Sequence, residues 1–169
     1  MKKLIILIFL FNFLSINSNA EIAYIDMNFI LKESKIGKSL NNYISKIKDE
    51  HSTKYKIIEK NLVEKEKVLI NQQNIMDKNE FEKKLTLLSA EIKKYRDEKK
   101  NSENELKKIR IENTKKILEI LNPIITNFVE TNAILIVLPK KNIIVGKKSL
   151  DITNQIISLL NNSSGKLNF

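Results

Sequence analysis

Histidine occurs once in this 169-residue chain, as His51, cysteine does not occur, and there are only three glycines. That inventory leaves little for covalent chemistry. A nucleophilic triad needs a base beside its hydroxyl or thiol. A zinc site needs several imidazoles or thiolates, and a phosphate cradle needs a glycine-rich turn. His51 has no second metal ligand at i+4 and reads as a partly exposed helix-seam residue. The chain is therefore not expected to be an enzyme or to carry a metal or cofactor. What it has in quantity is charge. Residues 35–116 hold 22 basic against 14 acidic side chains, whereas the rest of residues 21–169 balance at 6 of each. The chemistry available to such a segment is non-covalent: long-range attraction for acidic chains or anionic surfaces, weakened by salt.

The elements that carry this charge are helices. Over residues 34–131 apolar residues recur in steps of three and four: Leu40, Ile44, Ile47, Ile58, Leu62, Leu69 and Met76, then Phe81, Leu85, Leu88, Ile92, Tyr95, Leu106 and Ile109. This is the narrow stripe of a coiled-coil helix. It breaks once, over 72–79, so two long helices fold back as a hairpin with its tip there. The stripe is imperfect. His51, Lys65 and Gln72 on the way out, and Lys99, Ser102 and Asn113 on the way back, stand where apolar residues are expected, and the Ile47–Ile58 step is an eleven-residue stutter. Tyr55 and Tyr95 read as seam residues. Ser34 suits an N-cap, and Asn79 with Glu82 suits a capping box for the returning helix. Pro123 should kink that helix where the arm meets the rest of the molecule.

The two ends are short and apolar. Residues 22–27 read as a buried strand, 28–33 as a helical turn or two, and 133–138 with 142–145 as a β-hairpin closed by Pro139-Lys140-Lys141. A final helix follows Asp151. The expected layout is α+β and mostly helical. A helical-hairpin arm (34–121) projects from a β-rich body built from both chain ends (21–33 and 122–161), with a frayed tail (162–169). Three short strands in about sixty residues would leave open edges and a marginal core, which points to pairing between copies. The residues expected to build that oligomer body are Ile22, Tyr24, Ile25, Ile134, Leu135, Ile136, Val137, Ile144 and Val145. The first twenty residues read as a signal peptide, with a basic start, an apolar run and small residues before a cleavage point between Ala20 and Glu21. A periplasmic protein is expected.

The order of these parts, with Ile22-Ala23-Tyr24-Ile25-Asp26-Met27, then Glu33-Ser34 and Gly37-Lys38, and finally Ile134 to Leu138 and Ser149-Leu150-Asp151-Ile152-Thr153, resembles the Skp/OmpH family of periplasmic chaperones. The resemblance spans residues 21–161. It implies a homotrimer whose arms surround a cavity for unfolded outer-membrane β-barrel proteins. Such a protein is an ATP-independent holdase, with lipopolysaccharide or an anionic membrane surface as a further partner. The family's lipopolysaccharide-contacting residues have no motif to fix them on this arm and stay unassigned. Lys83, Lys84, Lys93 and Lys94 are candidates for the client-facing arm surface, although any one of them is ordinarily a solvated helix lysine.

Two other classes compete. A purely structural envelope coiled coil requires an uninterrupted apolar seam, which this chain lacks. A nucleic-acid binder would suit the basic helices, but clustered arginines and stacking aromatics are missing, so no nucleic-acid partner is expected. Prefoldin-type chaperones carry their strands between the helices, whereas here the strands lie outside them.

Overall fold

In the computed structural model, residues 21–163 are described. The expected signal segment, including the Ala20 side of its cleavage point, and the tail beyond Ser163 lie outside them. The first strand, β1 (Glu21–Ile25), leads into a short helix, α1 (Met27–Glu33), capped by Asp26, whose carboxylate accepts from the Phe29 N–H. The chain then turns a corner at Ser34. The Ser34 N–H closes α1 on the Ile30 carbonyl while its Oγ accepts from the Gly37 N–H at 3.1 Å to open α2 (Lys35–Gln72). One buried serine therefore caps both helices, as its N-cap chemistry foretold for the second.

The arm consists of α2, 38 residues and ~57 Å long, and α3 (Lys78–Thr131), 54 residues and ~81 Å long. The expected boundaries move slightly at the tip. The cap of α3 is Asp77, not the Asn79/Glu82 capping box: its Oδ1 accepts from Asn79 N at 2.9 Å and Glu80 N at 3.3 Å. A carboxylate there satisfies two orphan N–H groups and meets the positive helix end, which an asparagine two residues later cannot do. The helix continues through Pro123 without a break. The extra residues of α3 carry it past the base of α2 into the body.

There the main core forms. Ile30 of α1, Leu121 of α3 and Ile156 of the closing helix, α4 (Thr153–Asn162), are wholly buried together with Ala23, Ile25, Ile134 and Ile152. Asn161 of α4 reaches back to accept from the Lys35 N–H at 2.7 Å, fastening the closing helix to the base of the arm.

The strand pairing differs from expectation. β2 (Ile134–Pro139) pairs with β1 in parallel, Ile22 opposite Ile136 and Tyr24 opposite Leu138. The intended return strand over 142–145 does not form: a 3-10 turn (Lys140–Asn142) follows Pro139, and the chain then runs irregularly to Lys148. A parallel pair requires a long crossover, and here the whole arm is the crossover. β1 is flanked on its other side by Asp151, through the Tyr24–Asp151 bridge and an Ile152 N–H to Tyr24 carbonyl bond of 3.1 Å. β1 is thus central, and the outer edge of β2 has no partner strand among the described residues. Ala133, at φ 52°, takes the left-handed conformation that lets the chain leave α3 for β2.

A polar staple closes the body. Lys140 Nζ lies 2.9 Å from Asp151 Oδ2, Asp151 Oδ1 accepts from the Thr153 N–H and hydroxyl, and the Asp26 N–H donates to Thr153 Oγ1 at 2.9 Å. Burial alone would raise the Asp151 carboxyl, but the hydrogen bonds from Thr153 and Lys140 outweigh it and hold it below the ordinary value of 3.8. Its contribution to stability is therefore complete above that value and is lost as pH falls through the lowered one. Acid titration of unfolding should show Asp151→Asn less stable than the parent near neutral pH, with a shallower loss below the ordinary aspartate value. An unchanged acid limb would remove Asp151 as its source.

Candidate functional site

Two surfaces can act on a partner: the body face around β2, and the arm.

On the body, the nine residues expected to build an oligomer divide. Tyr24, Ile25 and Ile134 are buried inside the chain's own core, and Val137 is half-buried against it. Ile22, Leu135, Ile136, Ile144 and Val145 face solvent, with Ile144 fully exposed and Leu135 65 % exposed. Alternation along β2 explains the division only in part. Leu135 and Ile136 are successive yet both open, although Ile134 and Val137 of the same strand rest on the core. Leu135 and Ile136 thus stand exposed on a strand whose outer edge is unpaired among the described residues.

On the arm, apolar packing is confined to two clusters. The basal one joins Leu40, Ile44 and Ile117; the distal one joins Leu62, Leu69 and Leu88, with Ile58, Phe81, Ile92 and Tyr95 partly buried around them. Between them the seam is mixed, with Ile47 and Leu106 half-buried beside polar groups. The stutter is filled by His51, whose Nδ1 lies 2.5 Å from Ser102 Oγ, and by Tyr55, which is buried and donates its hydroxyl to the Glu98 carbonyl at 3.0 Å. Tyr95 packs edge-on against Tyr55 with centroids 6.1 Å apart and donates to Glu59. Lys99 donates to the Tyr95 hydroxyl at 3.3 Å, and that hydrogen bond raises its pKa. Both tyrosines and His51 are therefore seam residues, as their spacing implied.

Aliphatics that the two clusters do not cover stand exposed among the lysines: Ile57, Val68, Ile70, Leu87 and Ile111. The four lysines singled out in the sequence do not form one patch. Adjacent residues on a helix point ~100° apart, so Lys83 and Lys84 diverge, as do Lys93 and Lys94. Lys84 pairs with Glu80 at 2.9 Å and borders a distal cleft between the helices; Lys94 approaches Glu98 at 3.9 Å. Lys83 and Lys93 have no ion pair among the described residues. That cleft was not anticipated, although Lys65 and Gln72, the weak seam positions, mark where it opens. Among the described residues no group of three metal-ligating side chains occurs, and no helix is long and apolar enough to cross a membrane.

A long helical hairpin that serves as the crossover of a small parallel sheet, on a body closed by both chain ends, defines an arm-and-body protein. The model of the family described as "Outer membrane protein (OmpH-like)" matches residues 21–160, and the chain belongs to that family. The fold is also that of a crystal structure from Caulobacter crescentus CB15, described as a candidate outer membrane chaperone (OmpH-like), with a TM-score of 0.75 at 13 % identity over 85 % of each chain. No curated protein matches the sequence.

Proposed function

We propose that this protein is an ATP-independent holdase chaperone of the periplasm that keeps unfolded outer-membrane β-barrel proteins soluble between its arms. The observation that carries the reading is the arm itself. A coiled coil built only to space or tether would cover its aliphatics along the whole seam. This one packs two short clusters and leaves Ile57, Val68, Ile70, Leu87 and Ile111 exposed in a basic surround. Scattered apolar contacts, each weak, retain an unfolded chain without directing its folding. The net positive arm adds attraction that salt weakens. A partly polar middle seam gives the arm a low local packing density, which suits clients of different size. Release then needs only a partner that binds the client more tightly. The description of the Caulobacter crescentus relative points the same way.

Assembly belongs to this reading. The exposed Ile22, Leu135, Ile136, Ile144 and Val145, together with the free edge of β2, are what further copies would cover in a homotrimer. Lipopolysaccharide or an anionic membrane surface is a further partner consistent with the lysine-rich arm.

Light-scattering mass across gel filtration of residues 21–169, alone and with a urea-diluted outer-membrane barrel protein, tests both parts. A trimer, and a soluble complex with the barrel protein, are expected. Leu135→Asp with Ile144→Asp should return smaller species, because two carboxylates cannot be buried unpaired. A wild-type monomer that leaves the barrel protein to precipitate would overturn the chaperone reading in favour of a structural coiled coil.

A further inference from the structure

The distal cleft is an open groove on one side of the arm between α2 and α3, with a volume of about 570 Å³. Its origin lies in two seam positions. Lys65 and Gln72 stand where a coiled coil would insert aliphatic knobs. Neither supplies an aliphatic knob: the Lys65 side chain reaches across to Glu91 of α3, 2.5 Å from Nζ, and Gln72 is exposed at the end of α2. What remains is a gap floored by Leu69 and Leu88, each 7 % exposed, and walled by Val68 and Leu87, 47 % and 65 % exposed.

We propose that this cleft is a binding site for short apolar segments of unfolded polypeptide; the proposal rests on the holdase reading and assigns it a place. The floor supplies the apolar contact, and the charges at the rim select the occupant. Lys65 and Lys84 stand against Glu64 and Glu91, so the rim is balanced. A fatty acid or anionic lipid head group would meet two carboxylates there. The arm of another copy would bring a further net +8 against residues 35–116 of this one, which already carry the same excess. An apolar peptide segment has no net charge to oppose, and its backbone amides and carbonyls can pair with rim groups of either sign. The polar seam residues thus leave open an apolar site that a well-packed arm would close.

Filling the seam tests this directly. Lys65→Leu with Gln72→Leu supplies the missing knobs, so the arm should become more stable to heat. Binding of a fluorescein-labelled dodecapeptide of alternating leucine and threonine should weaken about tenfold. A structural role alone would raise stability without touching affinity. A photo-cross-linking residue at position 87 should capture this peptide, whereas one at the exposed Ser89, about 200° round the helix, should not. Unchanged affinity in the filled variant, or equal capture at both positions, would overturn the proposal while leaving aggregation suppression by the parent protein, and hence the holdase reading, intact. A changed oligomeric mass in the filled variant would instead assign the cleft to contact between copies. Failure of the parent protein both to hold a barrel protein and to bind the peptide would remove both readings.

Discussion

Gly37→Ala is expected to unseat the arm from the body, lowering stability by about 3 kcal/mol and releasing α1 from the base of α2. A Cβ at position 37 would stand 2.0 Å from the Leu31 carbonyl oxygen and 2.7 Å from its carbon. Both atoms are backbone, so no side-chain rotation relieves the clash. The glycine serves no unusual backbone angle: no glycine among the described residues has a positive φ. Close approach is its whole role. It lets the last turn of α1 lie against the first turn of α2, where Ser34 caps both. Pushing the helices apart would also stretch the 3.1 Å bond from the Gly37 N–H to Ser34 Oγ. The check is denaturant unfolding followed by circular dichroism at fixed protein concentration, with Ser39→Ala, exposed two residues further on, as the control. Equal midpoints for the two variants would show that α1 can shift freely and that the corner is not a rigid joint.

Leu121→Ala should cost about 3 kcal/mol as well, a fall of about 10 °C in Tm for a chain of this size. Leu121 is wholly buried, and its neighbours in the core come from every part of the body: Ala23 and Ile25 from β1, Ile30 from α1, Ile134 from β2 and Ile156 and Leu160 from α4. Removing its isopropyl group opens a cavity that five elements would have to move together to collapse. β2 rests on this core, so the exposed edge that we assign to assembly should lose order too, and the variant should dissociate at higher protein concentration than the parent. Leu88→Ala offers the contrast. Its cluster holds only three buried residues beside a cleft, so the walls can relax and the cost should be about 2 kcal/mol. Differential scanning calorimetry of both variants decides the matter. A larger loss at Leu88 would mean that the arm, not the body, holds the fold.

The helical arm was legible because the information that specifies a helix is local. Three- and four-residue spacing named Leu40, Ile44, Leu62, Leu69 and Leu88, all buried, but it also named Leu85, which is 46 % exposed. It also located the stutter that His51 and Tyr55 occupy. The Ser34 cap was legible for the same reason: a hydroxyl and an N–H three residues on need nothing else. The tip was less so, since Asp77 and Asn79 are both good caps and the choice between them depends on where the turn places each oxygen.

The body was harder to read. Apolar runs at 22–27 and 133–138 announced strands, but not that they pair with each other, in parallel, with the arm as crossover. Neighbouring segments look like a hairpin in a sequence, and Pro139-Lys140-Lys141 suits a turn. The true partner of β2 lies more than a hundred residues away, and what brings it close is the length of α3 relative to α2. Nor could composition divide the strand residues into Tyr24, Ile25 and Ile134, consumed by the core, and Leu135, Ile136 and Ile144, left at the surface. All are apolar, and their fate depends on what packs above them.

Periodicity, capping chemistry and charge, each acting within a few residues, were enough to establish a basic helical hairpin flanked by apolar ends and poor in catalytic groups. Strand partners, the buried share of the apolar residues, the close approach at Gly37 and the cleft beside Lys65 come from contacts between segments far apart in the chain. Those contacts depend on relative helix length and on packing geometry, which no local pattern of residues encodes.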